Sequence, residues 1–251
     1  MQSNKPEMKP AVGEYIFSID AYLTDFRGKA TLPMLGGFML QAATKHAEER
    51  GFGYSSMTEK KRVWVLSRIA IEFFEYPKND TEIKIYTWVS DVNKLFTERC
   101  FSFEDHTGKN IGYARSVWAS IDMETRRLTN VLELYGLNDY VNKEIACPIE
   151  GVKKIPHIKD IEAVDDFIVK YSDIDINKHL NSMKYIEYFV DLFDLEMFRT
   201  KEIKRLEINY MTEACYGYAI SLLKKKENEN VFTLEMKDGE TVVSTSRVLW
   251  S

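Results

Sequence analysis

The chain has 251 residues, 45% of them hydrophobic and 29% charged, with a formal net charge of −5. Such a length allows one large domain or two small ones, with a substantial core either way. The negative balance argues against general nucleic-acid binding, which needs an excess or a stripe of Lys and Arg, and no apolar run approaches the roughly 18 residues that span a bilayer.

Residues 1–10 are polar and carry lysines with no apolar segment after them. They match neither a secretory signal nor an Arg-rich transit peptide and are read as a frayed start. A strand is expected over 14–19. Over 32–50 an amphipathic helix is expected, with Leu35, Phe38, Met39, Ala42, Ala43 and His46 at three- and four-residue spacing and Gly51 as its stop. Four strands rich in β-branched and aromatic residues follow, at 63–74, 82–92, 96–104 and 111–122. The connection 128–161 holds Pro148 and Pro156 and little periodicity, which predicts a linker over the surface and a boundary near residue 150.

Beyond it the order repeats. A short strand is expected at 167–169, and a helix over 182–198 with Asn181 as N-cap and Met183, Ile186, Phe189, Val190, Phe193 and Met197 on one face. Strands at 205–212, 218–226, 231–237 and 242–250 complete the set. Arg68-Ile69-Ala70-Ile71 aligns with Arg205-Leu206-Glu207-Ile208 at an offset of 137, and Ala114-Arg115-Ser116-Val117-Trp118 with Ser246-Arg247-Val248-Leu249-Trp250 at an offset of 132. Both halves mark a hairpin at Asp105-His106-Thr107-Gly108 and Lys237-Asp238-Gly239. A meander that buries one face needs one long helix as cover. The expectation is an α+β fold: a tandem (double) hotdog, residues 1–150 and 151–251, each half an antiparallel sheet around a long helix.

Three cysteines, Cys100, Cys147 and Cys215, are widely spaced, which fits a reducing cytoplasm better than a disulfide framework. The four histidines form no local ligand pair, so neither a metal nor another cofactor is expected. Basic clusters occur at Lys60-Lys61-Arg62, at Lys153-Lys154, at Lys201, Lys204 and Arg205, and at Lys224-Lys225-Lys226.

The segment between the second short strand and its helix reads Asp173-Ile174-Asp175-Ile176-Asn177-Lys178-His179-Leu180-Asn181. Extended, it would point Asp175, Asn177 and His179 the same way. The helix start beyond offers free N–H groups and a positive dipole end to an oxygen gaining charge. Glu213, in a turn after a strand, would add a carboxylate if folded back beside His179. Spacing alone equally fits helix caps, turn formers and an exposed histidine.

Together with Glu213, the run from Asp173 to Tyr188 resembles the acyl-acyl carrier protein (ACP) thioesterases of plants and bacteria. Their motif is close to Asp-hydrophobic-Asp-x-Asn-x-His-hydrophobic-Asn-Asn-x-x-Tyr, and this chain departs from it only at Ser182, where the family has the second Asn. Trp64-Val65-Leu66-Ser67-Arg68, Thr87-Trp88-Val89-Ser90, Ser116-Val117-Trp118 and Thr125-Arg126-Arg127-Leu128 are similar too, in the right order along nearly the whole chain.

The resemblance implies hydrolysis of fatty acyl-ACP, with Asp175, Asn177, His179 and Glu213 as the catalytic group. Glu213, alone or with His179, would activate water, Asn177 would position it or the substrate, and Asp175 would orient its neighbours or attack directly. A cysteine described just after the family's Glu is displaced here to Cys215, behind Ala214, which weakens a thiol mechanism. The acyl chain would enter a tunnel in the first half, with Met34, Phe38, Met39 and Trp64 as candidate lining; plain core packing is the bland alternative for each. The other tryptophans are expected simply to be buried. An acidic ACP would land on a lysine cluster. The expected setting is bacterial, cytoplasmic and off the membrane, the protein a monomer or homodimer. Competing readings are an acyl-CoA thioesterase, a hotdog dehydratase and a non-catalytic acyl-binding protein.

Overall fold

Among the described residues ten strands join in a single antiparallel sheet with the order β1-β3-β4-β5-β2-β7-β10-β9-β8-β6. The computed structural model describes residues 10–134 and 136–251; residues 1–9 and 135, and with them the start expected to fray, lie outside the described residues. The first half contains β1 (Gly13–Ile19), α1 (Leu32–Glu49), α2 (Tyr54–Glu59), β2 (Arg62–Phe73), β3 (Thr81–Val92), β4 (Phe96–Asp105) and β5 (Asn110–Asp122). In the second half are β6 (Asp165–Ile168), α3 (Ser182–Val190), α4 (Leu195–Thr200), β7 (Ile203–Tyr210), β8 (Ala219–Lys226), β9 (Val231–Asp238) and β10 (Thr241–Trp250).

The repeat seen in the sequence is a symmetry of the sheet. Strands β2 and β7 pair at its centre, with Ile69 opposite Ile208 and Ala70 opposite Glu207. Ala70 therefore faces the very residue that the repeat makes its equivalent, as expected where an antiparallel pair crosses a pseudo-twofold axis. Helices α1 and α3 lie under the sheet and meet at Gly36, where a Cβ would come within 2.6 Å of the Met183 Sδ. Inward side chains such as Ile83, Ile85, Phe101, Phe103, Leu206, Ile208 and Leu234 close on Leu35, Met39, Ile186 and Phe189 in one core. This is the double hotdog.

Two expectations need correction. The helix expected over 182–198 is two helices, because Asp194 starts a new one: its side chain accepts the Met197 amide at 2.8 Å. The connection is no loose surface linker. Val131, Leu134 and Leu137 pack with Ala47, Phe52, Met57 and Val89, while Cys147 and Ile149 cover Ala70, Trp88 and Cys100 on the outer face of the sheet. An outward Trp88 needs such a cover, so the aperiodic strap carries core residues singly. Helix α2 was not anticipated from the sequence.

Candidate active site

Asp175, Asn177 and His179 come together through a turn, not through an extended alternation. The Asp175 amide donates to the His179 carbonyl at 2.9 Å, and Ile174 bridges to Leu180. Lys178 takes a left-handed φ of 68° at the tip. One carboxylate oxygen of Asp175, Oδ1, accepts the amides of Asn177 at 2.8 Å and His179 at 3.4 Å. Asp173, two residues earlier, is buried and accepts from the Lys170 amide at 2.8 Å and the Tyr188 hydroxyl at 3.0 Å, anchoring the turn to α3.

Glu213 arrives from β7. After Tyr210 the amides of Met211 and Thr212 both donate to the Val243 carbonyl, and the chain then runs back along the turn, with Leu180 N–H donating to the Ala214 carbonyl at 2.7 Å and His179 bridging to Cys215. The Glu213 Oε2 consequently lies 3.4 Å from the His179 Nε2. Its other oxygen accepts from Arg126, which the loop after β5 presents with a φ of 57°. A first-half residue thus completes the second-half site.

These groups line a cleft of about 220 Å³ with Val63 to Leu66, Trp118, Ser182, Tyr185 and Tyr210. Burial pushes the Tyr185 phenol well above its usual range, so it stays a neutral hydroxyl. At the start of α3, the Asn181 side chain takes the Met183 amide at 2.9 Å and its carbonyl the Lys184 amide at 2.8 Å. The Ser182 amide, at the first position of α3, makes no hydrogen bond among the described residues.

Next to the cleft lies a larger, mainly apolar cavity of about 340 Å³, which shares Val63, Trp64, Trp118 and Asn177 with it. From α1 it is lined by Ala43, Thr44 and Ala47, small side chains that leave space under the sheet. Phe52, Met57, Val89 and Leu137 form other walls.

Of the four residues expected to line an acyl tunnel, Trp64 alone lines this cavity. Met39 is fully buried in the core, Phe38 stacks on Phe17 at 4.6 Å between ring centroids, and Met34 is not among the lining residues. The apolar bulk at the start of α1 fills the core, and Ala43 and Ala47 in its second half border the cavity. Of the tryptophans, Trp88 and Trp250 are buried, but Trp118 lines both spaces. Arg126, quoted above only within a family-like segment, had no signal marking it as a site residue. No group of three or more His, Cys, Asp or Glu side chains among the described residues is placed to hold a metal.

Residues 12–136 match the acyl-ACP thioesterase N-terminal domain and residues 157–250 the acyl-ACP thioesterase C-terminal domain. The chain belongs to the acyl-ACP thioesterase family. A crystal structure of an acyl-ACP thioesterase from Bacteroides thetaiotaomicron is 39% identical, with a TM-score of 0.90 over 96% of this chain and 98% of that one. The 12:0-ACP thioesterase of Umbellularia californica shares the fold, with a TM-score of 0.88 at 19% identity over 98% and 99% of the two chains. The chloroplastic oleoyl-acyl carrier protein thioesterase 2 of Arabidopsis thaliana is 27% identical over 91% of this chain and 67% of its own length. A chloroplastic acyl-[acyl-carrier-protein] hydrolase of Cuphea viscosissima is 29% identical over 78% of this chain and 50% of its own. This member of the acyl-ACP thioesterase family therefore spans half to two thirds of those plant relatives. No helix among its described residues is long and apolar enough to cross a membrane.

Proposed function

We propose that the chain hydrolyses fatty acyl-ACP thioesters to free fatty acid and holo-ACP. One observation carries the reading: the His179–Glu213 pair, 3.4 Å apart, lines a cleft that shares Val63, Trp64, Trp118 and Asn177 with an apolar cavity. A thioester carbonyl at that junction has its acyl chain in the cavity and its sulfur toward solvent.

Glu213, with His179, takes a proton from water as the oxygen attacks the carbonyl carbon. Negative charge on the carbonyl oxygen is met by the Ser182 amide at the start of α3. Collapse breaks the C–S bond, and the same pair returns the proton to the leaving thiolate. Asn177 holds the substrate or the water. Asp175 shapes the turn that presents Asn177 and His179, because its Oδ1 is already engaged by their amides.

An acidic carrier needs a basic rim near the mouth. Arg126 lines the cleft and Arg127 follows it, exposed. Lys61 is tied to the same loop by the Met123 amide and Glu124, and Lys178 is exposed at the turn tip. By contrast, Lys201, Lys204 and Arg205 line neither the cleft nor the cavity, and Arg205 is engaged with Glu72 and Glu207. Three free cysteines, two of them buried, fit a reducing cytoplasmic setting.

Thiol release from matched acyl-ACPs and acyl-CoAs tests the reading. Faster turnover of the ACP series, slowed by salt and by Arg127→Glu, is expected; turnover of acyl-CoA alone would replace the carrier, and release from neither would leave an acyl-binding protein. Ala47→Leu should shorten the preferred acyl chain, and an unchanged preference would remove the acyl group from that cavity.

A further inference from the structure

Arg99, on β4, lines the apolar cavity yet is only 5% exposed. Its Nη1 donates to the Thr87 Oγ1 at 3.2 Å, and among the described residues no carboxylate pairs with it. Neighbouring Arg50, in contrast, is paired with Glu49. His46 offers no compensation: burial, then the charges of Arg99 and Arg50, lower its pKa to about 2, so the ring is neutral. Burial and Arg50 lower the Arg99 pKa to about 10, which leaves the guanidinium charged at neutral pH. A guanidinium carries five N–H donors. Facing an apolar hole with one hydrogen bond, it bears a desolvation cost that core packing does not require.

The repeat makes the oddity specific. Arg99 stands opposite Ser116, and Val248, the equivalent of Ser116, stands opposite Phe232. The matching position of the second half is thus an aromatic ring, packed on Phe193 at 5.0 Å between ring centroids. The fold accepts an apolar residue there, and the half with the cavity holds a cation instead.

Position in the sheet sets the distance from the chemistry. Trp118, shared with the cleft, is on β5; Arg99 is on the next strand, and its guanidinium reaches Thr87 on β3, the strand beyond. At a strand spacing of about 4.8 Å this places the donors on the order of 10 Å past Trp118.

We propose that this cavity selects acyl chains carrying a hydroxyl or keto oxygen at a carbon remote from the thioester, with Arg99 as the residue that recognises it. The proposal rests on the hydrolase reading above and names its substrate class. A neutral oxygen suits the route better than a carboxylate, which would have to shed its water between Val63, Trp64 and Trp118.

The test compares kcat/KM for ACP thioesters of one chain length, unsubstituted, hydroxylated at successive carbons, or ending in a carboxylate, on the full chain and on Arg99→Met and Arg99→Lys. Wild type should favour one remote hydroxyl position over the plain chain by about tenfold or more, as hydrogen bonds to charged groups do. Arg99→Met should abolish that ratio and Arg99→Lys partly restore it. A flat profile along the chain in wild type overturns the proposal even if Arg99→Met does not fold. A hydroxyl preference that survives Arg99→Met also overturns it, and a preference for the carboxylate alone replaces the ligand class. No thiol release from any donor would sink the hydrolase reading instead; equilibrium binding of the same acyl-ACPs would then read the position preference.

Discussion

The two halves lead into their first helices through one and the same turn, and the two turns put their side chains to different use. In the first half the Asp25 amide donates to the Lys29 carbonyl at 2.8 Å, Asp25 Oδ1 accepts the Arg27 and Lys29 amides at 2.8 and 3.2 Å, and Gly28 holds a φ of 69° at the tip. Those contacts match Asp175, Asn177, His179 and Lys178 one for one. What differs is where the side chains go. Arg27 grips its own Asp25 at 2.9 and 2.7 Å and the Phe198 carbonyl at 2.6 Å, while Lys29 pairs with Glu202. The place of Glu213 is taken by Tyr76, buried and donating to the Ile203 carbonyl at 2.6 Å. A cleft of about 390 Å³ remains there, lined by Asp25, Arg27 and Tyr76, but its polar groups are spent on holding the fold together. In both halves the Asp of this turn accepts from the amides two and four residues on, and the halves differ in the side chains those residues carry.

The helices differ in the complementary sense. Helix α1 runs on past Ala43 and Ala47 and leaves a cavity, whereas α3 stops at Val190 and Phe193 swings between Phe232 and Trp250, at 5.0 Å from each ring. The first half holds the cavity beside Ala43 and Ala47, and the second half the His179–Glu213 pair.

The strongest way to break this comparison is at the unequal pair. Glu213→Gln should lower kcat by about a hundred- to ten-thousandfold at unchanged thermal stability; a loss of less than tenfold would remove Glu213 from the chemistry. Next come the cores. Phe193→Ala should open beside Phe232 and Trp250 the counterpart of the first-half cavity and cost about 3–5 kcal/mol in denaturant titrations, and a loss below 1 kcal/mol would mean the second half tolerates a cavity as the first does.

Asp175 sharpens the comparison of the two turns. Asp175→Asn keeps an acceptor for the two amides, so turnover should stay within about tenfold of wild type while Asp175→Ala falls further. Equal losses in both would make the charge itself essential.

The buried His46, set among Arg99, Arg50 and the Tyr15–Glu49 pair, provides a pH test. Its folded pKa lies below the unfolded value, so its contribution is complete above the unfolded pKa of about 6.5 and is lost as pH falls toward 2. Stability should decline by about 1.4 kcal/mol per pH unit from this group below pH 6, and His46→Leu should flatten the slope by that amount. The smallest effect is expected at Tyr76→Phe, which removes one hydrogen bond for about 1 kcal/mol and leaves turnover alone.

By itself the sequence determined the repeat, α1 and all ten strands of the described residues to within two residues at each end, because these are written in local periodicity and turn chemistry; Asp175, Asn177 and His179 were picked out by the family resemblance, since their spacing alone fits caps and turns equally well. It also marked Glu213, through its family position rather than through any pattern of its own. Only the tertiary structure decided that Asp175 accepts from the amides of its own turn, that Arg126 reaches Glu213 from the other half, and that the cavity lies at Ala43 and Ala47 and not at Phe38. Contacts between residues 87 apart, as for Arg126 and Glu213, leave no trace in a window of ten or twenty residues. The break at Asp194 and the buried strap escaped for a related reason: a cap overrides a continuous apolar stripe, and isolated core residues have no period to detect.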